Sequence, residues 1–371
     1  MRRFVLATAV LLAACRSAPP PSAPLSSAPY TIVLGIAQDG GYPQAGCNRP
    51  DCLAAWRDPK LRRRVASLAI VDPRSQQRWL IDATPDFPSQ LRTLDEAAPL
   101  AAGAPLLDGI LLTHAHIGHY LGLAQLGREV LGARGVRVYA MARMRAFLET
   151  NGPWDQLVRL HNIELAPLAA GTEIALNERI SITPLVVPHR DEYSETVGFV
   201  IRGPSRSILW LPDIDKWEKW TTPLEEVLAR VDVAYVDGTF YDAGELPGRN
   251  LSEIPHPLMT ETSARLASSP LRSRIRFIHL NQSNPLLREG RAGYAVAEEG
   301  ERENLGLRTE AARGLLAGIV VVVTRPLIRP SATFSPAERG RRAGWGARPS
   351  HSTRESSALL PSTRGEGAAG G

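Results

Sequence analysis

Residues 111–120 read LLTHAHIGHY, and they concentrate three of the chain's eight histidines, His114, His116 and His119, within six positions. The mostly apolar residues 107–112 predict a buried strand that ends at this cluster. Neutral imidazole is the commonest protein ligand of zinc-like metals, and a tight loop after a strand can direct several rings at one point. The H-x-H-x-x-H spacing therefore predicts a metal site at the end of this strand.

Four further candidate residues follow other apolar, strand-like runs: His189, Asp213, Asp237 and His279. A single histidine or aspartate at a strand end is most often a cap or a solvated surface group. Sheets in α/β proteins usually carry their sites at the carboxyl ends of the strands. Because all four occupy such positions, together they favour one shared centre.

Short apolar runs alternate with helical patterns along the middle of the chain. Many of these runs are continuously apolar, which is typical of strands buried on both faces. Helices are predicted over 121–131, 141–149, 224–229 and 260–267. Strands covered by helices on two sides predict a layered α/β sandwich, and we expect one domain over residues 30–305.

The first 29 residues predict export. Residues 1–15 combine a short basic start, an apolar stretch and the ending LAAC, and this pattern is typical of a signal peptide. The ending resembles a bacterial lipobox, which implies lipidation at Cys15; an ordinary cleaved signal is the alternative. Residues 16–29 are rich in Ser, Pro and Ala and predict a flexible linker. We therefore expect a lipid-anchored cell-envelope protein on the periplasmic face of a membrane.

The chain's net positive charge comes from its last part. Residues 301–371 hold eleven arginines and no lysine against six glutamates and no aspartate, and this surplus equals the net charge of +5 of the whole chain. The basic balance is therefore no argument for a nucleic-acid partner. Residues 306–371 are rich in Arg, Gly and Ser and predict a disordered tail.

The candidate residues also resemble a known pattern when they are taken in chain order. The order of the motif residues is similar to that of the metallo-β-lactamase superfamily: Asp82, His114, His116, His119, His189, Asp213 and His279. The resemblance covers nearly all of residues 30–304. It implies a four-layer αβ/βα sandwich with metals in a cleft at the sheet edges.

Three other motifs resemble the PQQ-biosynthesis protein B branch of that superfamily. They are GIAQDGGYPQ at 35–44, VDGT at 236–239 and FIHLNQSNP at 277–285. Typical members of the branch lack the full His-x-His pair, which this chain retains at His114 and His116. The chain therefore resembles a hydrolase-type relative of the branch.

The resemblance implies two groups of metal ligands. His114, His116 and His189 would hold a first metal, and Asp213 would bridge toward a second metal bound by His119 and His279. The superfamily pattern has an aspartate where this chain has Gly118. We therefore expect one firmly bound zinc ion and a second that is weak or absent, and we expect Gly118→Asp to raise its occupancy. His256 and Asp237 are candidates for a replacement ligand or a substrate contact.

Cys47 and Cys52 admit two interpretations. The related branch has a three-cysteine zinc knuckle here, but Arg49 stands where another cysteine is expected. Two thiolates can still bind a structural zinc with outside ligands. In an oxidising, exported setting they can equally form a disulfide.

The pattern favours a metal-dependent hydrolase that acts on a small-molecule ester, lactone, amide or phosphoester. A metal held by histidines and a carboxylate yields hydroxide from bound water. Asp213 would orient it and collect a proton, and His279, if it is no ligand, could stabilise an oxyanion. An iron-dependent oxygenase of the PQQ-biosynthesis type is one alternative. A non-enzymatic, lipid-anchored binding protein with a reduced metal site is the other.

Overall fold

Two mixed β-sheets with flanking helices form the structure, a computed structural model that describes residues 27–289 and 292–306. Among the described residues, the chain runs through the strands of one sheet and then through those of the other, and the final strand returns to the first sheet. The prediction of a layered α/β sandwich is confirmed.

The first sheet has seven strands in the order β13-β1-β2-β3-β4-β5-β6. Their bounds are β1 Tyr30–Gly35, β2 Ser67–Asp72, β3 Gln77–Ile81, β4 Gly109–Leu111, β5 Val136–Ala140, β6 Ile163–Pro167 and β13 Arg302–Asn304. Strands β3 to β6 pair in parallel, and the other pairs are antiparallel. The carboxyl ends of β3 and β4 therefore lie side by side.

The second sheet has six strands in the order β12-β11-β10-β9-β8-β7. Their bounds are β7 Ile174–Ala175, β8 Ser181–Val186, β9 Val197–Arg202, β10 Ser207–Leu211, β11 Val233–Asp237 and β12 Ile275–Ile278. Strands β10, β11 and β12 pair in parallel, so their carboxyl ends also share one edge.

Seven α-helices accompany the sheets: α1 Pro50–Arg57, α2 Phe87–Ala97, α3 Ile117–Tyr120, α4 Ala142–Thr150, α5 Trp154–Arg159, α6 Leu224–Ala229 and α7 Met259–Arg265 among the described residues. The helix predicted over 121–131 is wrong, because a 3-10 helix covers only Leu121–Leu126 and turns follow it. Gly122 and Gly127 weaken an α-helix there, since glycine costs about 1 kcal/mol relative to alanine in a helix interior. Within the described part of the chain, every helix is too short or too polar to span a lipid bilayer.

In the part of the chain that the structure describes, the core consists of two apolar clusters separated by the first sheet. Along β1 the side chains alternate, as the period of a strand requires. Ile32 and Leu34 pack with α2, α4 and α5, whereas Val33 belongs to the cluster that includes the second sheet, α6 and α7. This packing fixes the strand ends that carry the polar residues.

Candidate metal centre

The predicted residues meet where strands from both sheets end. Asp82 directly follows β3, and His114 lies three residues after β4. From the second sheet, Asp213 lies two residues after β10, and His279 directly follows β12. Asp82 and His279 adopt left-handed backbone conformations, with φ of 67° and 64°. Such conformations cost free energy in residues other than glycine and cluster at functional sites.

The first group of ligand-type atoms belongs to His114, His116 and His189, which lie within 4.8 Å of one another. Nε2 of His114 and Nδ1 of His116 are 2.8 Å apart. Neither ring nitrogen of His189 has a hydrogen-bond partner among the described residues, although both are buried. Three imidazoles that direct nitrogens at one point are a common ligand set for zinc.

The second group consists of Asp39, His119 and His279. Oδ1 of Asp39 lies 3.2 Å from Nε2 of His119 and 3.5 Å from Nε2 of His279. Asp39 was absent from the sequence prediction. It reaches the centre from the loop after β1, far from the histidine motif in the chain.

Asp213 lies between the two groups. Its Oδ2 is 3.0 Å from Nε2 of His119 and 3.2 Å from Nε2 of His279. Toward the first group, its oxygens are 3.8 Å from Nε2 of His114 and 3.8 Å from Nε2 of His189. This position is consistent with the bridging place that the sequence pattern implied for Asp213.

The second group has the geometry of a ligand shell. Oδ1 of Asp39, Oδ2 of Asp213 and Nε2 of His119 and of His279 are all buried without a hydrogen-bond partner in the described chain. Buried polar atoms rarely lack a hydrogen-bond partner. Four separations among these atoms are between 3.0 and 3.5 Å. Tetrahedral ligands at about 2.0–2.1 Å from zinc stand roughly 3.3 Å apart, so the residues fit a metal.

Outer hydrogen bonds orient the histidine rings. Nδ1 of His119 lies 2.7 Å from Oδ2 of Asp82, which also accepts from the Thr113 hydroxyl. The same hydroxyl lies 3.0 Å from Nδ1 of His114. A partner on Nδ1 fixes the ring and leaves Nε2 free for a metal, as in carboxylate–histidine–metal arrangements. The side chains of Asp82 and His119 are fully buried.

The site keeps the carboxylate of Asp213 charged. Burial alone would raise the pKa of Asp213, but the surrounding histidines, His279 and His119 foremost, hold it well below its usual range. Burial lowers the pKa of His189 to about 4 and also lowers that of His114. Ionised carboxylates beside neutral imidazoles are the protonation states that metal binding requires.

His119 behaves differently. Burial lowers its pKa, but Asp82, Asp213 and Asp39 outweigh burial and raise the pKa well above its usual value. Without a metal, a proton on this ring partly neutralises the three carboxylates. Metal binding at His119 therefore has to release that proton.

The sequence model of a family described as "Beta-lactamase superfamily domain" matches residues 77–281. The chain belongs to the metallo-β-lactamase superfamily. It resembles the coenzyme PQQ synthesis protein B branch, as its motifs predicted. The coenzyme PQQ synthesis protein B of Methylobacterium sp. (strain 4-46) is 29% identical in an alignment of length 301, which covers 72% of this chain and 95% of the relative.

Two solved structures support the superfamily fold. Zn(2+)-bound PqqB from Methylobacterium extorquens aligns with a TM-score of 0.61 at 23% identity, covering 74% of this chain and 100% of the other. A diphosphatase from the PhnP family aligns with a TM-score of 0.52 at 21% identity, covering 74% of this chain and 96% of the other. At these identities the likeness concerns the fold.

Asp39 changes the interpretation of Gly118 in this superfamily member. The expectation of a weak second site depended on the absence of a carboxylate at position 118, and the structure supplies one from Asp39. A Cβ on Gly118 would lie 2.2 Å from Oδ1 of Asp39. This close approach argues against the expectation that Gly118→Asp raises metal occupancy, because the new side chain would collide with Asp39; the expectation itself stays a prediction. In the sequence, the available signal for Asp39 was its position directly before the two glycines Gly40 and Gly41.

His256 and Asp237 form a buried pair beside the two groups. Nδ1 of His256 lies 2.7 Å from Oδ2 of Asp237 and 3.6 Å from Oδ1 of Asp213. His256 is only 5% exposed, so it belongs to the centre and does not lie on a surface loop. Asp237 is fully buried, and it also accepts from the backbone N–H groups of Ile214 and Thr239. Asp237 thus positions His256, and the expectation that either residue contacts a substrate or replaces a ligand stays a prediction.

Cys47 and Cys52 form a disulfide in the structure. Of the two interpretations of this pair, the structure therefore has the disulfide and not the structural zinc site. The loop that this disulfide closes lies just after Asp39. The predictions for residues 1–15, including lipidation at Cys15, lie outside the described residues. So do those for most of the linker and for the tail after residue 306.

Proposed function

We propose that this chain is a metal-dependent hydrolase. The observation that carries the proposal is the set of buried, unpartnered ligand atoms around Asp213, in a fold whose solved neighbours include a diphosphatase. His114, His116 and His189 would hold one metal, and His119 and His279 belong to the second group, with Asp213 between the two groups. Zinc suits this set of imidazole and carboxylate donors. When bound, the metal lowers the pKa of a coordinated water and so supplies a nucleophile near neutral pH.

The chain's own residues would position the reactants. The ionised Asp213, 2% exposed, can accept a hydrogen bond from the attacking water and hold a proton on its carboxylate. His256, fixed through Nδ1 by Asp237, can direct its other ring nitrogen at the leaving group. Since His279 faces Asp39 and Asp213, we assign it to the ligands and leave the oxyanion role to others.

Arg190 marks the opening of the centre. Its side chain is half exposed, and its Nη2 lies 3.3 Å from Nε2 of His116. Glu192, which is also partly exposed, lies 3.0 Å from the same nitrogen. A guanidinium here can bind an anionic part of a substrate. We therefore place a phosphoester or a carboxylate-bearing ester or lactone ahead of a neutral amide.

The proposal is tested with purified protein, with and without dialysis against a chelator. The substrates are p-nitrophenyl acetate, γ-butyrolactone and bis(p-nitrophenyl) phosphate. We expect hydrolysis of at least one, loss of turnover after chelation and recovery with Zn²⁺. Arg190→Ala should raise KM for the phosphodiester more than for the acetate ester. Turnover that survives chelation, or hydrolysis of no substrate by the zinc-loaded protein, would overturn the proposal.

Iron-dependent oxygen chemistry is the second candidate function. Relatives named coenzyme PQQ synthesis protein B favour it, and imidazole and carboxylate donors also suit iron. Oxygen consumption by the protein loaded with Fe²⁺, together with failure of every hydrolysis assay, would favour this function. A protein that retains metal but shows neither activity would correspond to the third interpretation, a binding protein.

We also propose that the protein acts at the cell envelope, anchored through Cys15. The Cys47–Cys52 disulfide supports an oxidising compartment. Membrane fractionation of the full chain and of Cys15→Ser tests the location. The wild-type protein should fractionate with membranes, and the variant should be released. A wild-type protein that is wholly soluble and unmodified at Cys15 would contradict the anchor.

A further inference from the structure

Position 118 and Asp39 compete for the same space. A Cβ on Gly118 would lie 2.2 Å from Oδ1 and 2.6 Å from Cα of Asp39, and real Cβ atoms are never so close to another atom. A side chain at position 118 therefore displaces both the carboxylate and the backbone of Asp39. Only a glycine at position 118 permits the observed approach.

The loop that carries Asp39 is fixed to the strand end that carries His279. The N–H of Gln38 donates to the carbonyl of Leu280 at 2.9 Å, and the N–H of Leu280 donates to the carbonyl of Ile36 at 2.9 Å. The N–H of Gly41 donates to the carbonyl of Gln38 at 2.7 Å and closes a turn around Asp39. These backbone hydrogen bonds hold the loop so that the carboxylate lies beside His279. The position of Asp39 is therefore set by the backbone and does not depend on its side-chain rotamer alone.

The carboxylate of Asp39 is incompletely hydrogen-bonded where it enters the centre. Its Oδ1 is buried without a hydrogen-bond partner in the described chain, and it faces Nε2 of His119 and of His279. The carboxylate oxygen thus faces two imidazole nitrogens and makes no hydrogen bond to either. This is the arrangement expected of three ligand atoms that bind the same cation.

We propose that Asp39 is a ligand of a second metal and replaces the aspartate that the superfamily pattern has at position 118. His119, His279 and Asp213 complete this ligand set, and Gly118 is the condition for Asp39 to enter it. The second site is then firm, and the chain binds two metals. The inference rests on the proposal that the chain binds metal, but it does not depend on which reaction follows.

Metal content by elemental analysis and metal affinity by competition with a chromophoric chelator test the inference. Wild-type protein should retain two zinc ions, and Asp39→Ala should retain one. Loss of a direct ligand should weaken the second site by more than the ~10–100-fold that is typical when an outer partner is lost. Asp51→Asn is the matched control, because it removes a carboxylate bound to Arg49 and Arg288 outside the centre.

Gly118→Ala gives a second, sharper test. This substitution removes no ligand and adds none, but its methyl group would displace Asp39. We expect it to reduce the second metal while leaving the metal at His114, His116 and His189, which reports that the fold is intact. Cobalt substitution gives an independent readout, because the visible absorption of Co²⁺ changes with the number and type of its ligands.

The outcomes separate this inference from the hydrolase proposal. One zinc ion in the wild-type protein, or two zinc ions in Asp39→Ala, would overturn the role of Asp39, whatever the protein hydrolyses. Two zinc ions in Gly118→Ala, with unchanged affinity, would overturn the steric role of Gly118. Two zinc ions in the wild-type protein without hydrolysis would support the ligand set and contradict only the proposed reaction.

Discussion

The two halves of the metal centre are built differently. The first half uses His114, His116 and His189, which stand on short loops after β4 and β8, and it offers only nitrogen. The second half adds Asp39 to His119 and His279, and so it combines nitrogen with carboxylate oxygen. The first half follows a local motif, whereas the second depends on a loop fixed through the backbone to a different part of the chain. A local sequence motif can therefore lack a ligand that a distant loop of the chain supplies to the same site.

Asp213 joins the halves, so its substitution should have the largest effect. Asp213→Asn keeps the size of the side chain but removes its charge and its capacity to hold a proton. We expect kcat/KM to fall by roughly 10²–10⁴, the range of lost acid–base catalysis, and metal retention to weaken in both halves. Steady-state kinetics and elemental analysis check this.

His161→Asn is the control for Asp213→Asn. His161 precedes β6, at the opposite end of the strands from the centre, and its φ is 54°. Asparagine tolerates this left-handed conformation better than alanine does, so it avoids added strain. Metal content and turnover should stay at wild-type levels. Turnover of Asp213→Asn equal to that of His161→Asn would show that Asp213 does not join the halves functionally.

Removing one imidazole ligand from each half in turn should show that the two halves prefer different metals. His116→Ala should spare the oxygen-containing half, which suits Mn²⁺ as well as zinc, since carboxylate ligands suit manganese. His279→Ala should spare the half with three imidazoles, which should retain Zn²⁺ or Co²⁺ and bind Mn²⁺ poorly. Elemental analysis after dialysis against each metal measures this. Identical metal preferences in the two variants would remove the distinction between the halves.

The smallest effects are expected from the carboxylates behind the rings. Asp82→Asn should weaken the second half by about 10–100-fold, because Asp82 holds the ring of His119, and asparagine accepts the left-handed backbone there. Asp237→Asn should leave both metals bound, because it supports His256, and should lower kcat only. Chelator competition and kinetics of the pair distinguish these roles. Metal loss in Asp237→Asn would instead make His256 a ligand.

Much of this site could be predicted from the sequence, for a physical reason. Residues such as His114, Asp213 and His279 follow apolar strands. Parallel pairing aligns the carboxyl ends of β3 and β4 in the first sheet and those of β10, β11 and β12 in the second. The strand pattern thus predicts both the sandwich and the neighbourhood of these residues. The disulfide between Cys47 and Cys52 could be named only as one of two alternatives, because two cysteines at this spacing suit either chemistry.

Asp39 could not be predicted in the same way. It lies in a glycine-containing turn, where aspartate is ordinary, and its place depends on backbone bonds to Leu280, far away in the chain. The predicted helix over 121–131 failed for a related reason. Its apolar spacing is helical, but Gly122 lies so close to the backbone of Thr84 that a Cβ added to this glycine would be 2.2 Å from the Thr84 carbonyl oxygen. Tertiary contacts decided both positions.

The left-handed conformations of Asp82 and His279 also limit how this protein can drift in sequence. Each position has to satisfy a chemical requirement and a backbone requirement at once, and β-branched residues fail the second outright. Asparagine and glycine meet the backbone requirement, so they are the substitutes most easily sampled. Divergent copies of this centre should therefore weaken or lose their metal binding through Asn or Gly at these two positions while the sandwich persists, which would leave folded descendants free to acquire other roles.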